Sequence, residues 1–306
     1  MRRPDDSSLT PQQYAKVRSE AERALREAGA LGVFPTPIAD IMVAAKLEEV
    51  QEDVLNEGFL ASMRRKAGAA LKSALSKVIG LFDARAKLVF IDRTLHVVKQ
   101  AFVRLHETGH GFMAWQKDLY AIVEDCEQTI DPEIADLFDR EANTFASEVM
   151  FQLDTFTEEA EQKPFGIMVP VRLSSRYGGS IYAAVRRYVF RNHRACVVLV
   201  LNPPELIQGD GFRASIRRVV ASPRFTEIFG SPAWPVHFTP SDEIGAVVPI
   251  GKRRASGKRT FALTDRNGDR HECIIEAFTQ THQVFVLIHS VSTLTRTTII
   301  LPGNTQ

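Results

Sequence analysis

Residues 106–110 read His-Glu-Thr-Gly-His. Two histidines four apart on a helix share one face, with Cβ atoms about 5–6 Å apart, so both imidazoles can hold one metal ion. Glu107 follows the first histidine and can reach a water at that metal without binding the metal itself, which suits it to general-base work. A catalytic zinc takes three protein ligands and keeps a fourth position open, so a third donor is needed. Further along, residues 138–150 read Phe-Asp-Arg-Glu-Ala-Asn-Thr-Phe-Ala-Ser-Glu-Val-Met. The apolar stripe of that segment is Ile134, Leu137 or Phe138, Ala142, Phe145 and Val149. Glu141 falls on the stripe, with Asp139 and Asn143 turned away. A buried carboxylate needs a partner, and a zinc ion is a sufficient one. This reading gives His106, His110 and Glu141 as metal ligands and Glu107 as the catalytic base. Glu148, near the same face, is the competing ligand, and a salt bridge from Glu141 to Arg104 or Arg140 is the plain structural alternative.

The elements that must position these groups follow from periodicity. Pro11 after Thr10 starts a helix through Tyr14, Val17, Ala21 and Leu25 to Gly29. A short helix follows Pro37, and residues 56–77 read as another. The short β-branched runs 78–81 and 87–91 predict a hairpin. Helical spacing returns at Leu95, Val98, Phe102, Leu105 and Phe112, which carries His106 and His110 on a helix with a packed side. Residues 120–129 read as an acidic loop. Asp131-Pro132-Glu133 is a strong helix start, and that helix continues to about Gln152. One more helix is predicted at about 180–191, a strand at 196–201 and a helix from 211 to about 220. Past Pro235 the pattern is β-like, with strands at 246–250, 260–264, 272–278, 283–289 and 297–301. Turn residues 265–269 lie among them.

The paired motifs, His-Glu-Thr-Gly-His and then Glu-Ala-Asn-Thr-Phe-Ala-Ser-Glu, resemble those of the ImmA/IrrE metallopeptidases over about residues 35–195. The family's Met-Pro ending is replaced here by Val149-Met150-Phe151-Gln152, a departure at the helix end. The resemblance implies an α+β, zincin-like (thermolysin-type) domain with the HExxH helix and a small β-sheet, Zn2+ as cofactor, and Glu141 as third ligand. It also implies limited proteolysis of a regulatory protein, a helix-turn-helix transcriptional repressor being the expected substrate. Tyr120, His96 and His193 are candidates for stabilising an oxyanion. The expected division is a peptidase domain over residues 1–195, with a basic helical segment at 165–195, and a C-terminal β-rich α/β region over 196–306 with a sensing or docking role.

Composition limits the alternatives. The chain has 306 residues, 44% of them hydrophobic, and 38 basic against 37 acidic residues leave a net charge of +1. No global field draws it to nucleic acid or membrane. Cys126, Cys196 and Cys273 form no CxxC pair, which fits a reducing, cytoplasmic setting. The apolar runs are far shorter than the roughly 20 residues that span a bilayer. Arg172, Arg176, Arg186, Arg187, Arg191 and Arg194 make 172–194 locally basic, and residues 173–187 resemble a helix-turn-helix core. A DNA-binding or protein-interaction regulator with a structural or vestigial metal site is therefore the rival reading. A second basic cluster, Lys252 to Arg259, reads as a hairpin tip.

Overall fold

The computed structural model describes residues 8–50, 80–84, 86–125, 131–209, 211–251, 254–280 and 282–291. The helix expected at 56–77, Cys126 and the strand expected at 297–301 lie outside these residues. So do Lys252, Arg253 and residues 78–79 of the first expected hairpin strand. The fold is mixed α+β. The chain divides into two compact units, residues 1–159 with 172–183 and residues 160–171 with 184–306. The sequence suggested a single cut after residue 195. Among the described residues no helix is long and apolar enough to cross a membrane.

In the first unit, α1 (Pro11–Glu27) opens with a reciprocal cap in which Thr10 and Gln13 satisfy each other's backbone N–H groups. It buries Val17, Ala21, Ala24 and Leu25. α2 (Ile38–Ala44) leads to β1 (Glu48–Glu49). β2 (Gly80–Asp83) and β3 (Leu88–Ile91) form the expected antiparallel hairpin, and β1 joins it in parallel, giving the order β1-β3-β2. Met42, Leu47, Phe82, Val89, Ile91 and Val103 form a buried cluster there.

Three helices then carry the chemistry. α3 (Val97–Phe112) is capped by His96, whose Nδ1 accepts the Val98 N–H. The chain turns at Met113, in extended conformation, directly into α4 (Ala114–Asp125). The acidic segment from 120 is thus helical through Asp125 rather than a loop: the apolar spacing of its first turns carries the acids along. α5 (Pro132–Met150) is capped by Asp131, which accepts the Glu133 N–H at 2.8 Å. Gly109 lets α3 lie against α5, because a Cβ there would sit only 3.0 Å from Phe145 Cδ1. α1 is pinned to α5 by polar bonds as well: Tyr14 Oη donates to Glu148 Oε1 at 2.5 Å, and Arg18 reaches Glu148 and Asp154. Just beyond the end of α5, Gln152 takes positive φ. The buried Gln152 amide donates to Ala30 O and Thr36 Oγ1 and accepts the Gly32 N–H. This glutamine closes the helix where the resembled family has Met-Pro.

α6 (Thr155–Glu161), α7 (Met168–Arg176) and α8 (Ile181–Phe190) follow, two helices between 165 and 195 where one was expected. The second unit is built on a sheet ordered β5-β6-β4-β10-β9-β8. These are β4 (Cys196–Leu201), β5 (Glu205–Ile207), β6 (Gly211–Ala221), β8 (Arg259–Thr264), β9 (Arg270–Gln280) and β10 (Gln283–Ser290), with the two-residue β7 (His237–Phe238) against β6. β4 is buried along its whole length and lies between β6 and β10. Segment 211–221 is a strand, not the expected helix. Its Ile216, Val219 and Val220 suit a sheet, and β4 supplies the hydrogen-bonding edge. α9 (Pro223–Phe229), capped by Ser222, follows it. Residues 246–250 are no strand either: a single 3-10 turn (Gly245–Val247) forms because Ala246, Val247 and Val248 bond back to Asp242, Ile244 and Gly245.

Candidate metal and catalytic site

The first unit brings His106 and His110 together as their spacing requires. Their rings meet edge to face at 4.8 Å, and the two Nε2 atoms are 3.1 Å apart. Each Nδ1 faces a side-chain amide oxygen: His106 Nδ1 lies 3.1 Å from Asn143 Oδ1, and His110 Nδ1 lies 2.7 Å from Gln116 Oε1. Burial drives both imidazoles below their ordinary pKa, His106 to about 4 and His110 to about 3, the latter helped by its neighbour His106. Both rings are therefore neutral near pH 7, with one N–H each. The tautomer in which the amide oxygens accept that N–H at Nδ1 leaves the two Nε2 lone pairs facing each other. Such a pair suits a cation.

The carboxylate beside these lone pairs belongs to Asp139. Its Oδ1 lies 3.9 Å from His106 Nε2 and 3.8 Å from His110 Nε2, and the three residues form a group able to hold a metal ion. Glu141, the expected third ligand, is not part of that group. It is buried, and its Oε2 accepts from Trp115 Nε1 at 2.8 Å and from Gln116 Nε2 at 2.6 Å. The helix period explains the exchange. Residues 139 and 143 are about 40° apart around α5 and share the face turned to α3, whereas 141 is about 200° from 139. Asp139 and Asn143 were thus expected to turn away and instead face His106. Glu148, the competing candidate, is taken by Tyr14 and Arg18. The alternative salt bridges are also filled, since Arg104 pairs with Glu49 and Arg140 with Asp136.

Glu107 is buried, 7% exposed. Burial, with the Asp139 charge as a smaller cause, raises its carboxyl to about 8. Of the three oxyanion candidates only Tyr120 lies here. Its ring stands edge-on to His110 at 5.4 Å and packs on Phe82 and Phe138. Burial, Asp139 and Glu107 together hold its hydroxyl protonated. His96 is committed to capping α3, and His193 pairs with Glu161 in the second unit. Sequence reasoning missed Asp139 and Gln116. The Asp139–Asn143 pair, four apart like the two histidines, was a signal for the first; nothing in the spacing pointed to the second.

Residues 70–188 match the family model of the IrrE N-terminal-like domain, Peptidase M78. This segment is similar to the IrrE N-terminal-like family, whose model it matches. The match encloses every site residue described above, while α1, α2 and β1 precede it. No curated protein matches the chain. A solved structure described as a Mycobacterium tuberculosis transcriptional regulator is similar at 12% identity and a TM-score of 0.49, covering 92% of this chain and 82% of that one; likeness of that degree carries no argument here. Within the matched segment Arg187 is buried, and Arg176 pairs with Glu159 and lies over the Phe34 ring.

Proposed function

We propose that the first unit is a zinc-dependent endopeptidase, with the metal held by His106, His110 and Asp139 and with Glu107 as general base. The observation that carries the reading is the pair of Nε2 atoms 3.1 Å apart beside the Asp139 carboxylate. Two imidazoles and one carboxylate form a donor set typical of catalytic zinc. When bound, the ion supplies a Lewis acid that polarises a carbonyl and makes water easier to deprotonate. Asp139, two-thirds exposed, leaves the group open to solvent, as a site that must admit a substrate requires. Glu107, buried beside it, accepts a proton at its carboxylate and returns it to the leaving amine; a carboxyl whose pKa lies near the working pH does this best. The resemblance stated above names the substrate class, a helix-turn-helix transcriptional repressor cut at a limited number of bonds, in a cytoplasmic setting.

The test is metal analysis together with cleavage of a candidate repressor, on wild type, Asp139→Asn and Glu107→Gln. Wild type should hold one equivalent of zinc and cleave. Asp139→Asn should lose the metal and activity together. Glu107→Gln should keep the metal and lose cleavage. Zinc retained at wild-type affinity in Asp139→Asn would sink the ligand set, and full cleavage by Glu107→Gln would sink the mechanism.

A further inference from the structure

We infer that Glu141 is a positioning residue that acts through Gln116 to present His110 Nε2 to the metal, an inference that rests on the metal site proposed above. Gln116 is fully buried and sits between the two groups. A side-chain amide can point either of its ends at a histidine, and the two orientations have opposite consequences. With oxygen toward His110, the ring carries its proton on Nδ1 and leaves Nε2 bare. With the amide nitrogen toward His110, Nδ1 must accept, the proton moves to Nε2, and the metal position is blocked.

The far end of the amide decides between them. The end of Gln116 that faces Glu141 Oε2 at 2.6 Å also faces the Phe138 backbone carbonyl at 3.4 Å, a group that can only accept, so that end is the nitrogen. Gln116 Oε1 is thereby turned to His110 Nδ1 at 2.7 Å. Trp115 Nε1, a group that can only donate, holds the same carboxylate oxygen at 2.8 Å and fixes its place. The relay runs from Trp115 through Glu141 and Gln116 to His110. It explains why a buried acid stands on α5 two residues from Asp139 yet outside the metal group.

The experiment compares full-length wild type with Glu141→Gln, Glu141→Ala, Gln116→Ala and Glu141→Ala/Gln116→Ala. Two readouts are used: affinity for Zn2+ in competition with a chelator, and the His110 tautomer in metal-free protein from long-range 1H–15N NMR. A glutamine at 141 still offers an oxygen to Trp115 and Gln116, so Glu141→Gln should keep the Nδ1–H tautomer and near wild-type affinity. Glu141→Ala and Gln116→Ala should each lose the single tautomer and weaken Zn2+ binding by ~10–100-fold, the range for partners that orient a ligand. The double variant should be no worse than Gln116→Ala, because both changes act through one imidazole. If Glu141 were a ligand, Glu141→Gln would lose Zn2+ as severely as Glu141→Ala with the His110 tautomer unchanged, and the inference would fall. It also falls if the tautomer is unaffected in both alanine variants. A tautomer that responds as stated in a protein binding no Zn2+ would overturn the metal reading and leave the relay standing.

Discussion

Glu107 gives the prediction with the most definite magnitude. Burial and Asp139 raise its carboxyl from 4.5 to about 8 in the metal-free fold. In the unfolded chain it titrates at its ordinary value, so between these limits the unfolded state has released a proton that the folded state keeps. A group whose folded pKa is raised contributes stability that is fully present below the unfolded pKa and is lost as pH rises through the folded one. At 1.36 kcal/mol per unit, wild type should fall behind Glu107→Gln by under about 1 kcal/mol at pH 5 and by ~3 kcal/mol at pH 7. The deficit levels off near ~5 kcal/mol above pH 9. A melting shift of roughly 2–4 °C per kcal/mol makes the gap ~6–12 °C at pH 7. The assay is a thermal melt of both proteins, stripped with EDTA, at half-unit steps from pH 4.5 to 9. Melting temperatures that run parallel across that range would refute the reasoning, as would a wild type that gains on the variant with rising pH. Zinc should narrow the gap in both directions, since a dication beside Glu107 favours its charged form.

Other expectations follow from single contacts. Tyr120→Phe keeps the ring on His110, Phe82 and Phe138, so zinc content and melting should hold while kcat falls by ~10²–10³ with KM little changed; full kcat would remove the phenol from the reaction. Gly245→Ala would place a Cβ 1.7 Å from the Thr239 carbonyl oxygen, and backbone cannot yield as a side chain does. Destabilisation of the second unit by at least ~3 kcal/mol is expected in urea titrations. Arg18→Ala removes a partner of the buried Glu148 carboxylate and should cost ~1–3 kcal/mol, read from the same titration followed in the first unit.

The helix that carries His106, Glu107 and His110 was legible almost whole. His106, Glu107 and His110 needed only helical spacing, and Asp131-Pro132 marked the start of α5 to the residue. The carboxylate that the structure places beside the histidines is Asp139 and not the expected Glu141, for a physical reason. Apolar stripes identify what faces a core, and Glu141 does face one; α5 is buried over much of its circumference, at Phe138, Ala142, Phe145 and Val149 among others. Asp139 instead stands where the helix opens to water, off the apolar stripe. Gln116 was invisible because its role depends on a contact between two helices and leaves no periodic trace. In the second unit, 211–221 was misread because the adjacent Arg217 and Arg218 break the strand alternation, and only pairing with β4 decides the conformation.

The clasp between α1 and α5 bears on how this protein can be cut down for study. Family likeness starts at residue 70, yet α1 and Leu47 lie before that point and are built into the same packed body. A fragment trimmed to residues 70–188 would leave Glu148 in an apolar surround without Tyr14 or Arg18. It would also strip Leu47 from the wall against Gly111, one residue beyond His110. Such a fragment would carry every residue of the proposed site and still present them on helices stripped of these supports, so inactivity of a trimmed version would speak about truncation and not about the proposed activity.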